Sequence, residues 1–312
     1  MRYAVCVKQV PVIARLEFDP ATRTLRRDGV PAEVSAFDVR ALLRAVELRD
    51  TTGGEVLVVT MGPPQAAEAL GFRLALGADR AVHLCDPAFA GADTLATART
   101  LARALERIAP DVILLGRYSV DAETSQVGPE LAELLGLPQL LAAHRLDIDA
   151  GARRATAECE TDDGYLTASA TLPVVVTAAE DLAAERFPKK ADREAAATKP
   201  REAWTRADLG GSEDDYGSAG SPTWVADVRA VPAARGGRVF DPAADPAALA
   251  TLADLLVDTH GLFSGWRSAD TPAAAPAAPA VVRNAPGELW CVVDGRDGVV
   301  RPVALEILGR LR

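Results

Sequence analysis

Residues 111–136 read DVILLGRYSVDAETSQVGPELAELLG. The opening run Asp111-Val112-Ile113-Leu114-Leu115 is short and almost continuously apolar, the pattern of a strand buried on both faces of a parallel sheet. Glu130, Leu131, Leu134 and Leu135 then fall at helical spacing. Between strand and helix lie Ser119, Asp121, Glu123, Thr124, Ser125 and Gln126, whose side chains can bond ribose or phosphate oxygens. They precede a helix N-terminus, where free backbone N–H groups attract anions. Two readings fit this spacing: a nucleotide seat, or a helix capped by Thr124 or Ser125 and nothing more. No catalytic group stands out in it.

The chain before this stretch alternates strands and helices. Residues 3–7 read as a strand, and 37–49 as a helix with Val39, Leu42, Leu43 and Val46 on one face. Residues 55–60 form a second strand, broken by Gly62-Pro63-Pro64, and 65–75 a helix. Residues 80–84 are a third strand, followed by a helix from Thr94 through Ile108 with Asp93 as N-cap. Such βαβα order implies a parallel sheet with helices on both faces. Ligands of such sheets bind beyond the carboxyl ends of the strands at a topological switch point, and the loop after Leu115 qualifies.

The pattern then changes. Residues 155–160 and 165–176 read as two strands joined at Asp162-Asp163-Gly164, a hairpin extending the sheet. Residues 187–199 are charged and Ala-rich, either a surface helix or a loop. The Gly/Ser/Asp-rich segment 210–221 reads as a linker, and 246–257 as a helix. TPAAAPAAP at 271–279 has the composition of an extended tether. Residues 288–294 and 299–312 follow as strand, turn, strand and helix with no sheet partners of their own, too small a unit to bury a core.

With 312 residues, 49% hydrophobic and 25% charged, the chain has the composition of a folded, soluble protein rather than a disordered one. Its net charge of −10 and pI near 5.0 argue against nucleic acid as the main partner. Cys6, Cys85, Cys159 and Cys291 lack metal-site or disulfide spacing and read as buried thiols. His83, His144 and His260 have no Ser/Asp or Cys constellation near them in sequence, so no catalytic role is assigned. No signal peptide and no run of 18 apolar residues is evident, so no membrane insertion and a cytoplasmic location are expected.

Five segments carry a family resemblance: Val5-Cys6-Val7-Lys8-Gln9-Val10-Pro11, Ser35-Ala36-Phe37-Asp38, Gly77-Ala78-Asp79-Arg80, the 116–136 loop with Leu137-Pro138-Gln139, and Leu172-Pro173-Val174-Val175-Val176-Thr177. In this order and spacing the chain resembles the β subunit of electron transfer flavoproteins (ETF). The resemblance implies an α/β parallel-sheet fold of the adenine-nucleotide α-hydrolase-like (Rossmann-like) type. It also implies a heterodimer with an α subunit that carries a redox-active FAD. The nucleotide seat it implies here comprises Cys6, Ser35, Ala36, Phe37, Asp38, Met61, Gly116, Arg117, Tyr118, Ser119, Val120, Asp121, Ala122, Glu123, Thr124, Ser125, Gln126 and Val127. Cys6 and Met61 would give apolar or backbone contact to an adenine, residues 35–38 would read its edge or the ribose, and 124–127 would receive phosphate. Neither a Rossmann GxGxxG nor a Walker GxxxxGK[ST] is present, which favours binding without turnover: an electron carrier with no catalytic or metal residues.

Family members hold either AMP or a second FAD in this cleft. Residues 121–129, DAETSQVGP, look like the bifurcating pattern DGDTAQVGP but depart at Ala122, Glu123 and Ser125. Ala for Gly removes freedom where a loop could need positive φ, and Glu for Asp lengthens a carboxylate beside a diphosphate, which leans the reading toward AMP or an unusual nucleotide, with FAD close behind. Where family members present an apolar docking anchor, Arg186-Phe187 is followed here by Pro188-Lys189-Lys190-Ala191-Asp192-Arg193. This segment reads either as a solvated helix face or as a docking surface for a dedicated redox partner held through charge, and in either case the expected dehydrogenase donor is not an ordinary acyl-CoA dehydrogenase. Residues 289–309 look like the opening strand and helix of an α subunit: a shortened fusion, a remnant, or a donated βα unit completing a partner sheet. The division expected is a nucleotide-binding domain at 1–209, linker and C-terminal arm at 210–270, tether at 271–280 and the α-like segment at 281–312. Two other functions compete: a bifurcating component whose FAD oxidises NADH, and a nucleotide sensor of the universal-stress type.

Overall fold

The computed structural model describes residues 1–11, 17–19, 24–26, 32–226, 245, 247–255, 295–296 and 299–300. The chain divides into two compact units, Met1–Val231 and Pro232–Arg312.

The first unit opens with β1 (Arg2–Cys6) and an excursion of three-residue strands, β2 (Gln9–Pro11), β3 (Glu17–Asp19), β4 (Thr24–Arg26) and β5 (Ala32–Val34). β2 pairs with β5 and β3 with β4, both antiparallel. Alternation follows: α1 (Ala36–Thr52), β6 (Glu55–Met61), α2 (Ala66–Leu76), β7 (Arg80–Leu84), α3 (Thr94–Ile108), β8 (Val112–Gly116) and α4 (Val127–Leu135). The signals are local ones. Asp93 caps α3 by accepting from the Ala96 N–H at 2.9 Å, and Gly77 and Gly136, both at positive φ, end α2 and α4.

The remaining elements are β9 (Gln139–Asp149), β10 (Arg154–Thr161), β11 (Gly164–Thr171), β12 (Val174–Ala178), α5 (Lys190–Ala196), β13 (Arg201–Trp204) and α6 (Arg206–Leu209). One nine-stranded sheet results, in the order β11-β10-β9-β12-β8-β1-β6-β7-β13. The seven strands from β9 to β13 in that order run parallel, while β10 and β11 turn back antiparallel. Tyr3, Val5 and Val7 face Leu42 and Val46 of α1 and Leu70 and Leu74 of α2. On the opposite face Ala4 and Cys6 meet Leu101 and Leu105 of α3 and Leu131 of α4. The chain moves outward from β1 through β6 to β7, then returns to lay β8 on the other side of β1. The carboxyl ends of β1 and β8 therefore flank the switch point.

Several expectations need correction. Residues 165–176 are not one strand: β11 stays at the sheet edge, while β12 inserts between β8 and β9, with Leu172-Pro173 between them. The reason is burial, since Val174, Val175 and Val176 are fully buried on both faces while β11 is largely exposed. The stretch 210–221 is no free linker. Tyr216 is buried, its ring 5.3 Å from that of Phe89 with the Arg103 guanidinium 5.5 Å above it, and Arg103 also pairs with Asp215 at 2.9 Å. One buried aromatic outweighs the polar composition around it. β9 and β13 lay outside the expected elements altogether.

In the second unit α7 (Ala248–Asp254) matches the expected helix in kind, and β14 (Gly295–Arg296) pairs antiparallel with β15 (Val299–Val300). The tether at 271–280, the strand at 288–294 and the helix at 301–312 lie outside the described residues. Among the described residues no helix is long and apolar enough to cross a membrane.

Candidate functional site

Asp38 sits in the first turn of α1, where a carboxylate ordinarily serves the helix N-terminus. Here it does something else. Its Oδ2 accepts the Lys8 N–H at 2.7 Å and its Oδ1 accepts the Gly116 N–H at 2.8 Å, so one carboxylate joins the ends of β1 and β8 across the switch point. Only 6% of Asp38 is exposed. Burial pushes its carboxyl up to about 6, against the opposing pull of the two backbone bonds and of the Arg73 and Lys8 charges. Gly116 must be glycine for this approach: a Cβ there would lie 2.6 Å from Asp38 Oδ1 and 2.7 Å from Phe37 Cβ.

The loop that leaves Gly116 is fastened by the next residue of the β1 end. Lys8 Nζ lies 2.8 Å from Asp121 Oδ1 and donates to Ser119 Oγ at 3.1 Å. The Asp121 side chain is 8% exposed. Burial raises its carboxyl, but the bonds from Lys8 and Ser119 outweigh burial and the net shift is downward. The Ser119 carbonyl accepts the N–H groups of Ala122 and Glu123, turning the chain. Glu123 (φ 50°) and Ser125 (φ 56°) take the left-handed conformation, while Ala122 does not. Neither Thr124 nor Ser125 caps α4: the N-cap is Gln126, without a side-chain cap. Among the described residues no side chain caps this terminus, so the first-turn N–H groups of Val127 and Gly128 have no capping side chain.

The α4 terminus is held close to its neighbours. A Cβ on Gly128 would meet Thr177 Cγ2 of β12 at 2.5 Å. Thr94 Oγ1, at the start of α3, lies 3.1 Å from Gln126 Oε1 and 3.0 Å from Glu130 Oε1. Glu130 Oε2 is buried without a hydrogen-bond partner among the described residues. On the other flank Phe37 and Tyr118 pack at 4.6 Å, the Arg117 guanidinium lies 5.3 Å from the Tyr118 ring, and Arg117 pairs with Glu160 of β10 at 2.7 Å.

The expected seat residues are therefore sorted into different jobs. Ser35 is buried, its Oγ donating to the Tyr118 carbonyl at 3.4 Å, and Asp38 has both oxygens engaged, so neither reads a ligand edge directly. Cys6 points into the α3/α4 side of the core. Burial first, then the Asp38 charge, push its thiol up to about 12, which keeps it protonated. Met61 ends β6 half-buried against the same core, Val120 and Val127 are half-buried, and Ala36, Ala122, Glu123, Thr124, Ser125 and Gln126 are exposed. Sequence reading missed Lys8, Thr94 and Glu130 as site residues. For Lys8 a signal existed, a lone cation directly after the first strand's carboxyl end.

Outside this cleft the polar groups are structural. His83 Nε2 lies 3.0 Å from the Gly62 carbonyl, and His144 stacks on Tyr165, while His260 is outside the described residues. A cavity of about 420 Å³ lined by Met1, Arg2, Gly54, Glu55, Ala109 and Asp111 opens at the amino ends of the strands, away from the switch point, and is crossed by the Arg2–Glu55 pair at 2.7 Å. No group of residues able to hold a metal ion occurs among the described residues.

Residues 22–209 match the electron transfer flavoprotein domain. The chain is 40% identical over 225 residues to the electron transfer flavoprotein subunit beta of Clostridium acetobutylicum, covering 72% of this chain and 86% of that one. It is 43% identical over 232 residues to protein FixA of Rhizobium meliloti, covering 72% and 80%. It is 38% identical over 242 residues to the caffeyl-CoA reductase-Etf complex subunit CarD of Acetobacterium woodii, covering 77% and 92%. The universal-stress alternative loses its ground against these matches. The parallel sheet, the matched domain and the near full-length relatives together establish that the chain belongs to the electron transfer flavoprotein β-subunit family, whose role is to carry electrons rather than to turn over a substrate.

Proposed function

We propose that this chain pairs with an FAD-carrying α subunit and holds a nucleotide, AMP or a second FAD, in the switch-point cleft while electrons pass from a dehydrogenase to a downstream acceptor. The observation that carries the nucleotide reading is the open N-terminus of α4 directly beyond β8, with the Lys8 ammonium on the adjacent strand end. The residues fit such a ligand: uncapped backbone N–H groups at a helix start receive phosphate, and the Lys8 charge offsets Asp121 in the same loop. When bound, a flavin supplies one- and two-electron redox chemistry. This chain's own residues bind and orient: the α4 N–H groups hold phosphate, and Asp38 and Lys8 keep the loop in place.

A specific observation favours the second reading, a bifurcating component with FAD in this chain. The lean toward AMP rests in part on lost freedom at Ala122. Yet the left-handed positions of the loop are Glu123 and Ser125, so Ala122 is no obstacle to the bifurcating loop form. Co-expression with the α subunit, release of bound nucleotides and their count per heterodimer decide the matter. One FAD with one AMP supports simple transfer, two FAD support the second reading, and a single FAD with no further nucleotide refutes the cleft assignment.

For the donor we propose a dedicated dehydrogenase with an acidic face. Phe187 is 71% exposed beside Arg186, Lys189 and Lys190, so the segment offers an apolar tip within a basic rim. Salt-insensitive binding to an ordinary acyl-CoA dehydrogenase would contradict this.

A further inference from the structure

We infer that Asp38 is the positioning residue of the nucleotide cleft: its ionised carboxylate ties the ends of β1 and β8 together, and converting it to a group with a single acceptor oxygen loosens the cleft and weakens nucleotide binding. The inference rests on the reading above that the cleft holds a nucleotide.

Two backbone donors, Lys8 N–H at 2.7 Å and Gly116 N–H at 2.8 Å, converge on one side chain. An ionised carboxylate is acceptor-only and satisfies both. An asparagine or a protonated acid presents a donor on one side, so one N–H faces another hydrogen and is left unsatisfied in a buried place. The tie also governs Lys8 beyond its backbone, because the same residue's ammonium holds Ser119 and Asp121 of the cleft loop. Releasing one strand end therefore disturbs both the start of the loop and the cation that fixes its middle.

The groups that face Asp38 come from three elements. Arg73 of α2 is buried, its guanidinium pushed down to about 10 by burial and partly restored by the Asp38 charge. Lys8 approaches from the end of β1, and the Cys6 thiol on β1 stays neutral. From β8 only the Gly116 backbone faces it. With Arg73 cationic and Cys6 neutral, Asp38 is the group that titrates in mildly acid solution, and acid has the same effect as Asp38→Asn.

The test uses the full chain with its α subunit and AMP as the probe. The AMP phosphate titrates in the same range, so the readout is the affinity ratio of wild type to Asp38→Asn at each pH. That ratio is expected to be about tenfold or more near pH 7.5 and to fall toward one near pH 5. Hydrogen exchange in peptides spanning Lys8 and Gly116 is expected to quicken in the variant, with the β6 and β7 peptides unchanged. A ratio within about twofold at every pH, with unaltered exchange, overturns the inference. Should the variant fail to fold, wild-type exchange in those peptides, corrected for intrinsic rates, must still quicken between about pH 7.5 and 5, and a flat profile overturns it. If wild type binds neither AMP nor FAD, the nucleotide reading fails, while the exchange data still decide whether Asp38 ties the strands.

Discussion

Replacing Gly116 by alanine tests the tightest contact in the cleft. The added Cβ would lie 2.6 Å from Asp38 Oδ1, 2.7 Å from Phe37 Cβ and 3.0 Å from Asp38 N. All three atoms belong to the first turn of α1, and two of them, Phe37 Cβ and Asp38 N, cannot rotate aside, so either α1 or the end of β8 must move. Overpacking of this kind costs about 1–3 kcal/mol. Moving Asp38 Oδ1 off the Gly116 N–H leaves a buried charge short of a donor, a further loss of about 1–3 kcal/mol. The two are coupled, so a total of about 2–4 kcal/mol is expected, within what a domain of this size can lose and still fold. Urea unfolding of the full chain followed by far-UV circular dichroism measures it. Gly151→Ala is the control: its Cβ would meet only Asp149 Oδ1, at 3.4 Å, and should change stability by no more than about 0.5 kcal/mol. If Gly116→Ala unfolds within about 0.5 kcal/mol of wild type with the same urea slope, α1 does not press on β8 as described and the reasoning about Asp38 falls with it.

Asp93→Ala removes the α3 cap and, with it, the acceptor of the Thr223 N–H and hydroxyl, so a loss of about 1–2 kcal/mol and faster protease cleavage around 221–226 are expected from urea unfolding and limited proteolysis. Lys8→Met deprives the nearly buried Asp121 of its cation; AMP affinity should fall several-fold and lose part of its salt dependence in titrations at two ionic strengths. The pH dependence of stability should show two opposing contributions. Asp38 has a folded-state pKa raised to about 6, so the native state binds its proton more readily and this group's contribution declines by about 3 kcal/mol as pH rises from about 4 to 6. Asp111, Asp93 and Glu55 are shifted downward, so their contributions are present above the ordinary carboxylate range and are lost as pH falls. Asp38→Asn should therefore remove the part of the profile that declines between pH 4 and 6, which urea midpoints at closely spaced pH values will show.

The alternation from β1 to α4 was legible because its signals are local: apolar runs such as Val56-Leu57-Val58-Val59, a cap at Asp93, and glycines at 77 and 136. β9 was not legible. Its buried residues Leu140, Ala143 and Leu146 fall three apart rather than two, Ala142 between them sits at φ 50°, and its partners β10 and β12 both come later in the chain, so pairing rather than local pattern makes it a strand. β13 is a charged edge strand in which Trp204 alone is buried, and the pull of Tyr216 into the core cannot be read from the polar residues around it.

The same distinction runs through the cleft. Residues 116–127 could be located from sequence because strand, loop and helix adjoin in the chain, but which of their atoms remain free depends on contacts made across 78 and 113 positions, between Asp38 and Gly116 and between Lys8 and Asp121. Asp38 was expected to read the ligand because the family resemblance places residues 35–38 in the nucleotide seat. Tertiary placement gives both its oxygens to backbone donors instead, and at neutral pH the fold keeps this buried carboxylate ionised in spite of the desolvation cost. A neutral side chain in the first turn of α1 would avoid that cost, but it could not accept from both strand ends at once. The cleft is thus made by two classes of residue: those with open donors at the start of α4, which can meet a ligand, and Asp38, Ser35 and Lys8, whose engaged atoms fix where those donors point.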